Sequence, residues 1–269
     1  MLISVDHVTH YTYETITHYI AQRIRLTPQT TSHQSVREWE ILMPGIENAV
    51  SYIDGFGNLT MLVTNQGEFD QISIRARGLV ETLDASGIVG EDVSGLLAET
   101  FLRSTPCTES DKALKAFSRT IEPGETIPFL HRVMMRIHEE ITYDTDATHA
   151  HTTAKDAFAA RRGVCQDHSH IFISLARLNN IPARYVTGYL LFMGDGSPEL
   201  AQHAWAEAHV EGLGWVGFDP ANGVSPGETY IRIACGLDAN SAAPISGIRR
   251  GGGDERLDVS LDIQHIQQQ

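Results

Sequence analysis

The chain has 269 residues, 42% of them hydrophobic, and a formal net charge of −14 at pH 7. This composition excludes a disordered chain, and no apolar run approaches the roughly 18 residues that a membrane span requires. The excess of negative charge disfavours a nucleic-acid ligand, because nucleic-acid binding depends on a basic surface.

The N-terminus and the cysteine content predict a cellular compartment. The first residues, MLISVDHVTHYTYE, have neither the basic region nor the apolar region of a signal peptide. Three cysteines are an odd and low number, which does not make a disulfide framework. We therefore expect a cytoplasmic protein with no membrane partner.

Residues 1–85 are rich in β-forming residues. Tyr11 and Tyr13 alternate with polar neighbours, and Ile72 and Ile74 continue the same period of two further along. The segment DGFGN, Asp54–Asn58, is a turn signal with two glycines and an asparagine. These patterns predict an N-terminal antiparallel β-domain that serves as a scaffold or a partner-docking unit.

The remaining chain divides into a connection and a second domain. Residues 86–125 carry Gly, Ser, Thr and Pro among short leucine-containing pieces, which predicts a connecting segment with short helices. Residues 126–269 are assigned to the second domain. Its predicted outer elements are a helix over Ile127–Ile141, a short helix over TAKDAFAARRG that stops at Gly163, a strand over Tyr230–Cys235 and a half-buried strand over Arg256–Asp262.

The segment Arg161–Pro182, RRGVCQDHSHIFISLARLNNIP, predicts a helix with a cysteine at its start. Ile171 and Leu175 lie on one apolar stripe behind Cys165. The positive end of a helix favours thiolate over thiol, and thiolate is the reactive form of cysteine. The acidic Asp167 in the same turn opposes this effect, so a reactive cysteine here needs a basic partner.

The segment Gln202–Gly223, QHAWAEAHVEGLGWVGFDPANG, predicts an antiparallel hairpin. Two alternating runs flank the turn EGLG. Counting back from this turn places Asp219 beside His203, within about one pair of register. A carboxylate next to an imidazole orients a general base and stabilises its protonated form.

These two segments strongly resemble the transglutaminase-like family of papain-fold cysteine enzymes. The resemblance implies that Cys165, His203 and Asp219 are the nucleophile, the base and the orienting acid. The pieces HVTHYTY, IRLTP and DGFGN resemble the β-rich domain that precedes this module in many bacterial members. The implied fold class is α+β, with an N-terminal antiparallel β-domain followed by a papain/transglutaminase-like α+β domain. In that second domain the helix bearing the cysteine packs on an antiparallel sheet bearing the histidine and the aspartate.

The chain departs from the family pattern at two places. An aromatic residue is more usual at the position of His168, whereas the histidine at His170 agrees with the family. The segment GLDANS, which ends with Leu237–Ser241, stands where the resemblance leads us to expect GRDYAD. The missing arginine and tyrosine are expected to alter substrate contacts and to leave the core mechanism intact.

A metal site is the main competing use of the histidines. His168 follows Cys165 by three residues, and His149 and His151 lie in the preceding loop. This set does not follow the spacing of known zinc motifs, and His170 is better explained by hydrogen bonding in the core. No calcium loop of the D-x-D-x-D-G type is present. We therefore predict no required metal and no cofactor.

The other conspicuous residues have ordinary structural explanations. Core packing is favoured for Trp205 and Trp215, with screening of the His–Asp pair as the functional alternative. Glu207 and His209 share the face of His203 and are expected to be solvated edge residues. The remaining thiols, Cys107 and Cys235, are expected to be incidental and inert.

The sequence thus predicts an enzyme that acts on amide bonds of peptides or glutamine side chains. Cys165 forms an acyl-thioester, which water resolves in a peptidase or amidase and an amine resolves in a cross-linking enzyme. The expected partner is a peptide or protein substrate. The alternatives are a catalytically inactive peptide- or protein-binding module of the same fold and, more distantly, a metal-binding protein.

Overall fold

The computed structural model describes residues 1–91, 95–146, 149, 151–192 and 199–265, so part of the predicted connecting segment, residues 92–94, lies outside the described residues. These residues form two large sheets, a short two-stranded ladder and four α-helices. The helices are α1 (Lys112–Ser118), α2 (Thr126–Glu140), α3 (Ala154–Ala160) and α4 (Cys165–Leu178). Short 3-10 helices span Ile46–Asn48 and Ala98–Leu102.

Two long antiparallel strands form the centre of the first sheet. Its strands are β1 (Leu2–Ile24), β2 (Gln34–Leu42), β3 (Val50–Ile53), β4 (Leu59–Thr82), β12 (Ile245–Arg250) and β13 (Glu255–His265). Strand β1 pairs with β4 along one edge, and β2 and β3 pair with the other edge of β4. Buried side chains of β1 and β4, such as Ile20, Ile24 and Ile74, form the core on one face of this sheet.

The free edge of β1 is occupied by strands from the C-terminal end of the chain. β13 pairs with Ile3–Tyr13, and β12 pairs with Tyr19–Ile24. The sequence-based boundaries placed residues 245–265 in the second domain, and in the structure the strands of this segment pair with β1 of the N-terminal sheet. The physical reason is length, because a 23-residue strand offers one edge to two shorter partners.

The final strand is confirmed, but its predicted half-burial is wrong. Leu257 and Val259 are 52% and 44% exposed, and among the described apolar side chains of β13 only Leu261 packs against a core cluster. Strand β13 lies at the edge of the sheet, where its alternating apolar residues are mostly uncovered. The alternation in the sequence therefore predicted the strand correctly and the burial of its apolar side chains incorrectly.

The second sheet carries the predicted hairpin and packs against the helices. Its strands are β5 (Ile88–Gly90), β8 (Ala183–Phe192), β9 (Glu199–Val210), β10 (Gly214–Phe218) and β11 (Tyr230–Gly236), in the order β11-β8-β9-β10-β5. Small side chains at Ala204, Ala206 and Ala208 on β9 share one core cluster with Ile171 and Leu175 of α4. Alanine at these positions lets the helix lie close to the strand.

A short ladder connects the end of α2 to the start of α4. Strands β6 (Thr142–Tyr143) and β7 (Arg162–Gly163) are parallel, and Tyr143 is the register partner of Gly163. A Cβ atom added at Gly163 would lie 2.7 Å from Cβ of Asp167, whose carboxylate accepts the Val164 N–H at 2.9 Å. Glycine is therefore required for the chain to enter α4 in this way.

The first sheet also closes the edge of the second. The Asn58 side chain donates to Cys235 O at 2.8 Å and accepts from Cys235 N at 2.9 Å. Gln34 makes the same pair of bonds to the backbone of Arg232, at 2.9 and 2.8 Å. Two carboxamides thus satisfy backbone groups of β11 that a neighbouring strand would otherwise satisfy.

No helix within the described ranges is long and apolar enough to cross a membrane.

Candidate active site

Cys165 is the first residue of α4 and opens into a cleft. The residue before it, Val164, has extended backbone angles and marks the start of the helix. The cysteine is partly exposed, whereas Cys107 and Cys235 are buried. This position combines access from solvent with the positive end of a helix, which stabilises negative charge on sulfur.

His203 faces Cys165 from strand β9. Both side chains line the same cleft, and the nearby Cys165 raises the pKa of His203. The opposite nitrogen of the imidazole, Nε2, lies 2.6 Å from Asp219 Oδ2. Because Nε2 is used by the carboxylate, Nδ1 is the nitrogen available to the sulfur.

Asp219 is buried, and all its hydrogen-bonding partners are donors. Oδ2 accepts from His203 Nε2, from the Asn222 side chain at 2.7 Å and from the Tyr230 hydroxyl at 2.8 Å. Oδ1 accepts from the backbone N–H groups of Ala221 and Asn222 at 3.0 and 3.3 Å. This set fixes the carboxylate and stabilises its charged form.

The pair carries opposite charges at neutral pH. Burial by itself would lower the pKa of His203, but its hydrogen bonds to Asp219 and Cys165 and the charges of these groups raise that pKa from 6.5 to about 9. Burial by itself would raise the pKa of Asp219, but the hydrogen bonds from His203, Asn222 and Tyr230 and the His203 charge hold that pKa below 3.8. The site therefore holds an imidazolium next to a carboxylate.

Aromatic rings enclose the imidazole. The Trp205 ring stacks on His203 at 6.4 Å between centroids, and the Tyr230 ring lies at 6.0 Å. Gly188 is the register partner of His203, and a Cβ atom there would lie 2.6 Å from the Trp205 ring. Trp205 thus screens the His203–Asp219 pair from water and also packs in the core. Trp215 instead packs on Arg184, with the guanidinium 3.9 Å from the ring centroid.

Glu207 is not a solvated edge residue, which corrects the expectation from sequence. It is fully buried and bonds to Arg184 Nε at 2.6 Å and Arg232 Nε at 2.9 Å. His209 is partly exposed, with its side chain 25% accessible and 3.8 Å from Glu91. The alternation on β9 placed Glu207 on the face of His203, and on that face its carboxylate is buried beside Arg184 of β8 and Arg232 of β11.

His168 and His170 are both buried and hold backbone groups. His168 Nδ1 lies 2.8 Å from Val164 O, and its Nε2 lies 3.1 Å from Ile141 O. His170 Nε2 accepts the Ala239 N–H at 3.1 Å, as expected for a histidine in the core, and burial lowers its pKa to about 4. Among the described residues no group of three or more His, Cys, Asp or Glu side chains is placed to hold a metal ion.

The other two cysteines lie outside the cleft lining. Cys107 accepts from the Asn240 side chain at 3.3 Å, and burial followed by the nearby Asp238 raises its pKa. Cys235 donates to Phe56 O at 3.5 Å within a buried strand. Neither has the setting of a reactive thiol.

The cleft has a volume of about 360 Å³. Apart from the Cys165–His203 pair, its described walls are uncharged and made of small, aromatic and amide side chains: Val164, Gln166, Tyr185, Thr187, Gln202, Ala204, Ala239, Asn240, Ala242, Ala243 and Pro244. The segment Leu237–Ser241, which departs from the family pattern, supplies Ala239 and Asn240. Ala239 stands where the family pattern has the tyrosine, whereas Leu237, which stands where it has the arginine, is not among the described residues that line the cleft.

Sequence reasoning missed two residues around the pair. Asn222 lies three residues after Asp219 in DPANG, so a search for side chains near the carboxylate could have found it. Tyr230 starts the next strand, and its position has no local sequence signal.

A cysteine at the start of a helix, packed on an antiparallel sheet that carries a His–Asp pair, defines the papain-like class of α+β folds. Comparison with known proteins identifies the family within this class. The sequence model of the Transglutaminase-like superfamily matches residues 115–220, and that of the Bacterial transglutaminase-like N-terminal region matches residues 3–81. Over these two ranges the chain matches the transglutaminase-like superfamily and its bacterial N-terminal region, and the two predictions of family and fold class are confirmed.

Similar proteins match this chain over nearly all of its length. An uncharacterized protein of Mycobacterium leprae is 28% identical over 97% of this chain and 98% of its own length. One from Mycobacterium bovis is 26% identical over 96% of this chain and 91% of its own. The crystal structure named "a Putative Cysteine Protease from Cytophaga hutchinsonii" has a TM-score of 0.79 and 22% identity, and it covers 100% of this chain and 92% of that one. At this identity the last similarity shows the shared fold alone.

Proposed function

We propose that the protein is a cysteine-dependent acyl-transfer enzyme that acts on amide bonds of peptides or of glutamine side chains. One observation carries this proposal: Cys165 and His203 face each other in an open cleft, and Asp219 holds the far nitrogen of the imidazole at 2.6 Å. A buried structural cysteine would need neither the cleft nor the charged partner. The uncharged walls of the cleft support a neutral amide as the acyl donor.

The proposed reaction has two stages. The Cys165 thiolate attacks the amide carbon, and the carbonyl electron pair moves onto oxygen. The His203 imidazolium gives its proton to the amide nitrogen, the C–N bond breaks, and the carbonyl re-forms as an acyl-thioester. Water or an amine then attacks the thioester, His203 takes its proton, and the thiolate leaves.

Thiol labelling tests the first stage. At about pH 6 an ordinary thiol is almost fully protonated and reacts slowly with iodoacetamide. We expect Cys165 to be alkylated much faster than Cys107 or Cys235, and Cys107→Ala to leave this rate unchanged while Cys165→Ala abolishes it. Equally slow labelling of all three thiols would favour the inactive binding module.

Product analysis distinguishes the two second stages. The protein is incubated with a glutamine-containing peptide, with and without an added primary amine, and the molecular masses of the products are measured. Conversion of glutamine to glutamate or cleavage of the peptide indicates hydrolysis, and a mass increase from the amine indicates transfer. The absence of all three products, together with slow labelling, would contradict the proposal.

The three free cysteines support a reducing compartment, and we propose the cytoplasm as the site of this activity.

A further inference from the structure

The segment HVTHYTY of β1 takes no part in the proposed reaction, yet one of its faces connects to the cleft. His7, Thr9, Tyr11 and Tyr13 alternate along the strand, so their side chains share one face of the first sheet. This face carries the core of the sheet, to which Tyr13 belongs and against which Tyr11 packs.

His7 joins this face to the wall of the cleft. Its Nε2 lies 3.2 Å from the side-chain nitrogen of Gln202, which lines the cleft together with Cys165. The imidazole is buried and fixed, because its Nδ1 lies 2.6 Å from the Tyr189 hydroxyl and its Nε2 lies 3.0 Å from the Thr9 hydroxyl. One end of the face therefore meets the cleft at Gln202.

The opposite wall of the cleft leads to the same face. Ala243 and Pro244 line the cleft, and the next residue, Ile245, begins β12 and packs against the core of the first sheet. The backbone carbonyl of Pro244 accepts the Arg25 N–H at 2.7 Å, and Ile245 pairs with Ile24. This wall is therefore anchored to the far end of β1.

A second cavity, of about 190 Å³, lies on this face of the first sheet. Tyr11 and Tyr13 line it from β1 and Ile245 lines it from β12, so it begins one residue after the cleft wall ends at Pro244. Gln22 also lines this cavity. Its side chain is 6% exposed, and its Oε1 has no hydrogen-bond partner within the described part of the chain. A buried acceptor of this kind is unfavourable unless a ligand supplies a donor.

Two opposite charges lie at the rim of the cavity and compensate each other. The Arg249 guanidinium lies 3.4 Å from the Glu255 carboxylate and 5.4 Å from the centroid of the Tyr13 ring. Both residues line the cavity. This pairing favours a neutral ligand.

Exposed apolar side chains continue the surface along the neighbouring strand. Leu257 pairs with Tyr11 and Val259 pairs with Thr9, and directly paired residues share a face of the sheet. Both side chains are about half exposed although they lie on the side that carries the core. A peptide that leaves the cleft along this face would cover them.

We infer that the first sheet supplies a second subsite for the peptide substrate. An aromatic side chain, a few residues from the reacting amide, packs there against Tyr11 and Tyr13, because aromatic rings associate favourably with each other. The Gln22 acceptor favours tyrosine over phenylalanine in this position. The inference rests on the proposed function, since the ligand is the peptide whose amide Cys165 attacks.

The test tethers the side chain to the sulfur. Iodoacetyl-glycine linkers of increasing length end either in tyrosine amide or in alanine amide, and each reagent alkylates Cys165 with loss of iodide. The ratio of the tyrosine rate to the alanine rate measures the subsite. Iodoacetamide, which has no tether, measures the reactivity of the sulfur alone.

At the best linker length the wild type should react about tenfold faster with the tyrosine reagent, the gain expected when part of an aromatic side chain is buried. Tyr11→Ala should bring the ratio close to one. Leu257→Ser, which changes an exposed side chain, should lower it without affecting folding. The matched control is Ile53→Ser, at an exposed position of β3 on the other side of β4, and it should keep the wild-type ratio. All four proteins should react equally with iodoacetamide.

A ratio close to one at every linker length would mean that the face is bare or is covered by a second copy of the chain, and it overturns the subsite. A high ratio that Tyr11→Ala and Leu257→Ser leave unchanged, or that Ile53→Ser lowers equally, overturns it too. A phenylalanine reagent that matches the tyrosine reagent overturns the role of Gln22 alone. A wild-type Cys165 that reacts with iodoacetamide no faster than Cys107 and Cys235 overturns the proposed function instead.

Discussion

The Tyr230 hydroxyl donates a 2.8 Å hydrogen bond to Asp219 Oδ2, the oxygen that also bonds to His203 Nε2. Tyr230 begins β11, which is separated from β9 by β8, so the bond reaches across the sheet. The carboxylate of Asp219 is thus held by two residues of the segment that links β10 to β11. Asn222 lies just after Asp219, and Tyr230 begins β11. The orientation of the imidazole therefore depends on two residues, Asn222 and Tyr230, that are not part of the cleft lining.

The charge of Asp219 should matter more than any one of its hydrogen bonds. Asp219→Asn removes the charge that raises the pKa of His203, so burial should dominate and the imidazole should become neutral. We expect amide acylation to fall by about 10²- to 10⁴-fold. Tyr230→Phe keeps the charge and loses one bond, which should cost about three- to tenfold. Single-turnover rates of the two variants check this order, and equal rates would contradict it.

The raised pKa of His203 predicts a window of pH-dependent stability. The folded protein binds this proton more tightly than the unfolded chain, since the pKa rises from 6.5 to about 9 on folding. The stabilisation is fully present below about pH 6.5 and is lost as the pH rises through about 9. The free energy of unfolding of the wild type relative to His203→Gln should therefore decrease across this window. Urea titrations at several pH values measure it, and a difference that grows with pH would refute the protonated imidazole.

The buried Glu207 should be essential for folding. Glu207→Gln leaves Arg184 and Arg232 buried beside an uncharged amide, which should cost about 3–5 kcal/mol. His209→Gln, two residues along the same strand and partly exposed, should change stability by less than about 0.5 kcal/mol. Urea unfolding compares the two. Replacing Glu207 and Arg232 together should cost less than the sum of the single losses.

The lowered pKa of Glu207 also predicts how the stability of the protein falls at acidic pH. Burial would raise the pKa of Glu207, but the charges of Arg232 and Arg184 lower it from 4.5 to about 2. Its contribution to stability is therefore present above about pH 4.5 and is lost as the pH falls through about 2. The stability difference between wild type and Glu207→Gln should shrink in that range, and a constant difference would contradict the ion pairs.

Asn58 should stabilise the edge of the second sheet. Asn58→Ala removes both bonds to the backbone of Cys235 and leaves two buried polar groups without partners, which should cost about 2–4 kcal/mol. Asn48→Ala, where the exposed side chain donates to Glu47 Oε1 at 3.1 Å, is the matched control and should be nearly neutral. Urea unfolding gives the cost. Hydrogen exchange of the Cys235 amide should accelerate in Asn58→Ala alone, and unchanged exchange would show that another group protects β11.

Short-range patterns in the sequence predicted the parts of the site that depend on local geometry. The period of α4 and the turn at EGLG fix where Cys165 lies on its helix and where Asp219 lies relative to His203, because helix starts and hairpin registers are set within a few residues. The contact between His203 and Asp219 is observed. The catalytic roles of Cys165, His203 and Asp219 stay predictions that the experiments above test.

The features that were missed depend on which distant segment covers a given face or edge. Alternation on β9 could not show that Glu207 is buried between Arg184 of β8 and Arg232 of β11, because the same pattern describes a strand with one face in water. The pattern of β13 likewise contained no information about its partner β1, more than 240 residues earlier.

The pairing of β13 with β1 also constrains how the chain is made. Residues 3–13 leave the ribosome well before residues 255–265, and one edge of their strand obtains its partner only when those later residues have been synthesised. Until then the nascent chain carries an open row of backbone donors and acceptors, the kind of surface that recruits other strands. The synthesis of residues 255–265, and not the folding of the residues before them, is therefore the event that completes this edge of the first sheet.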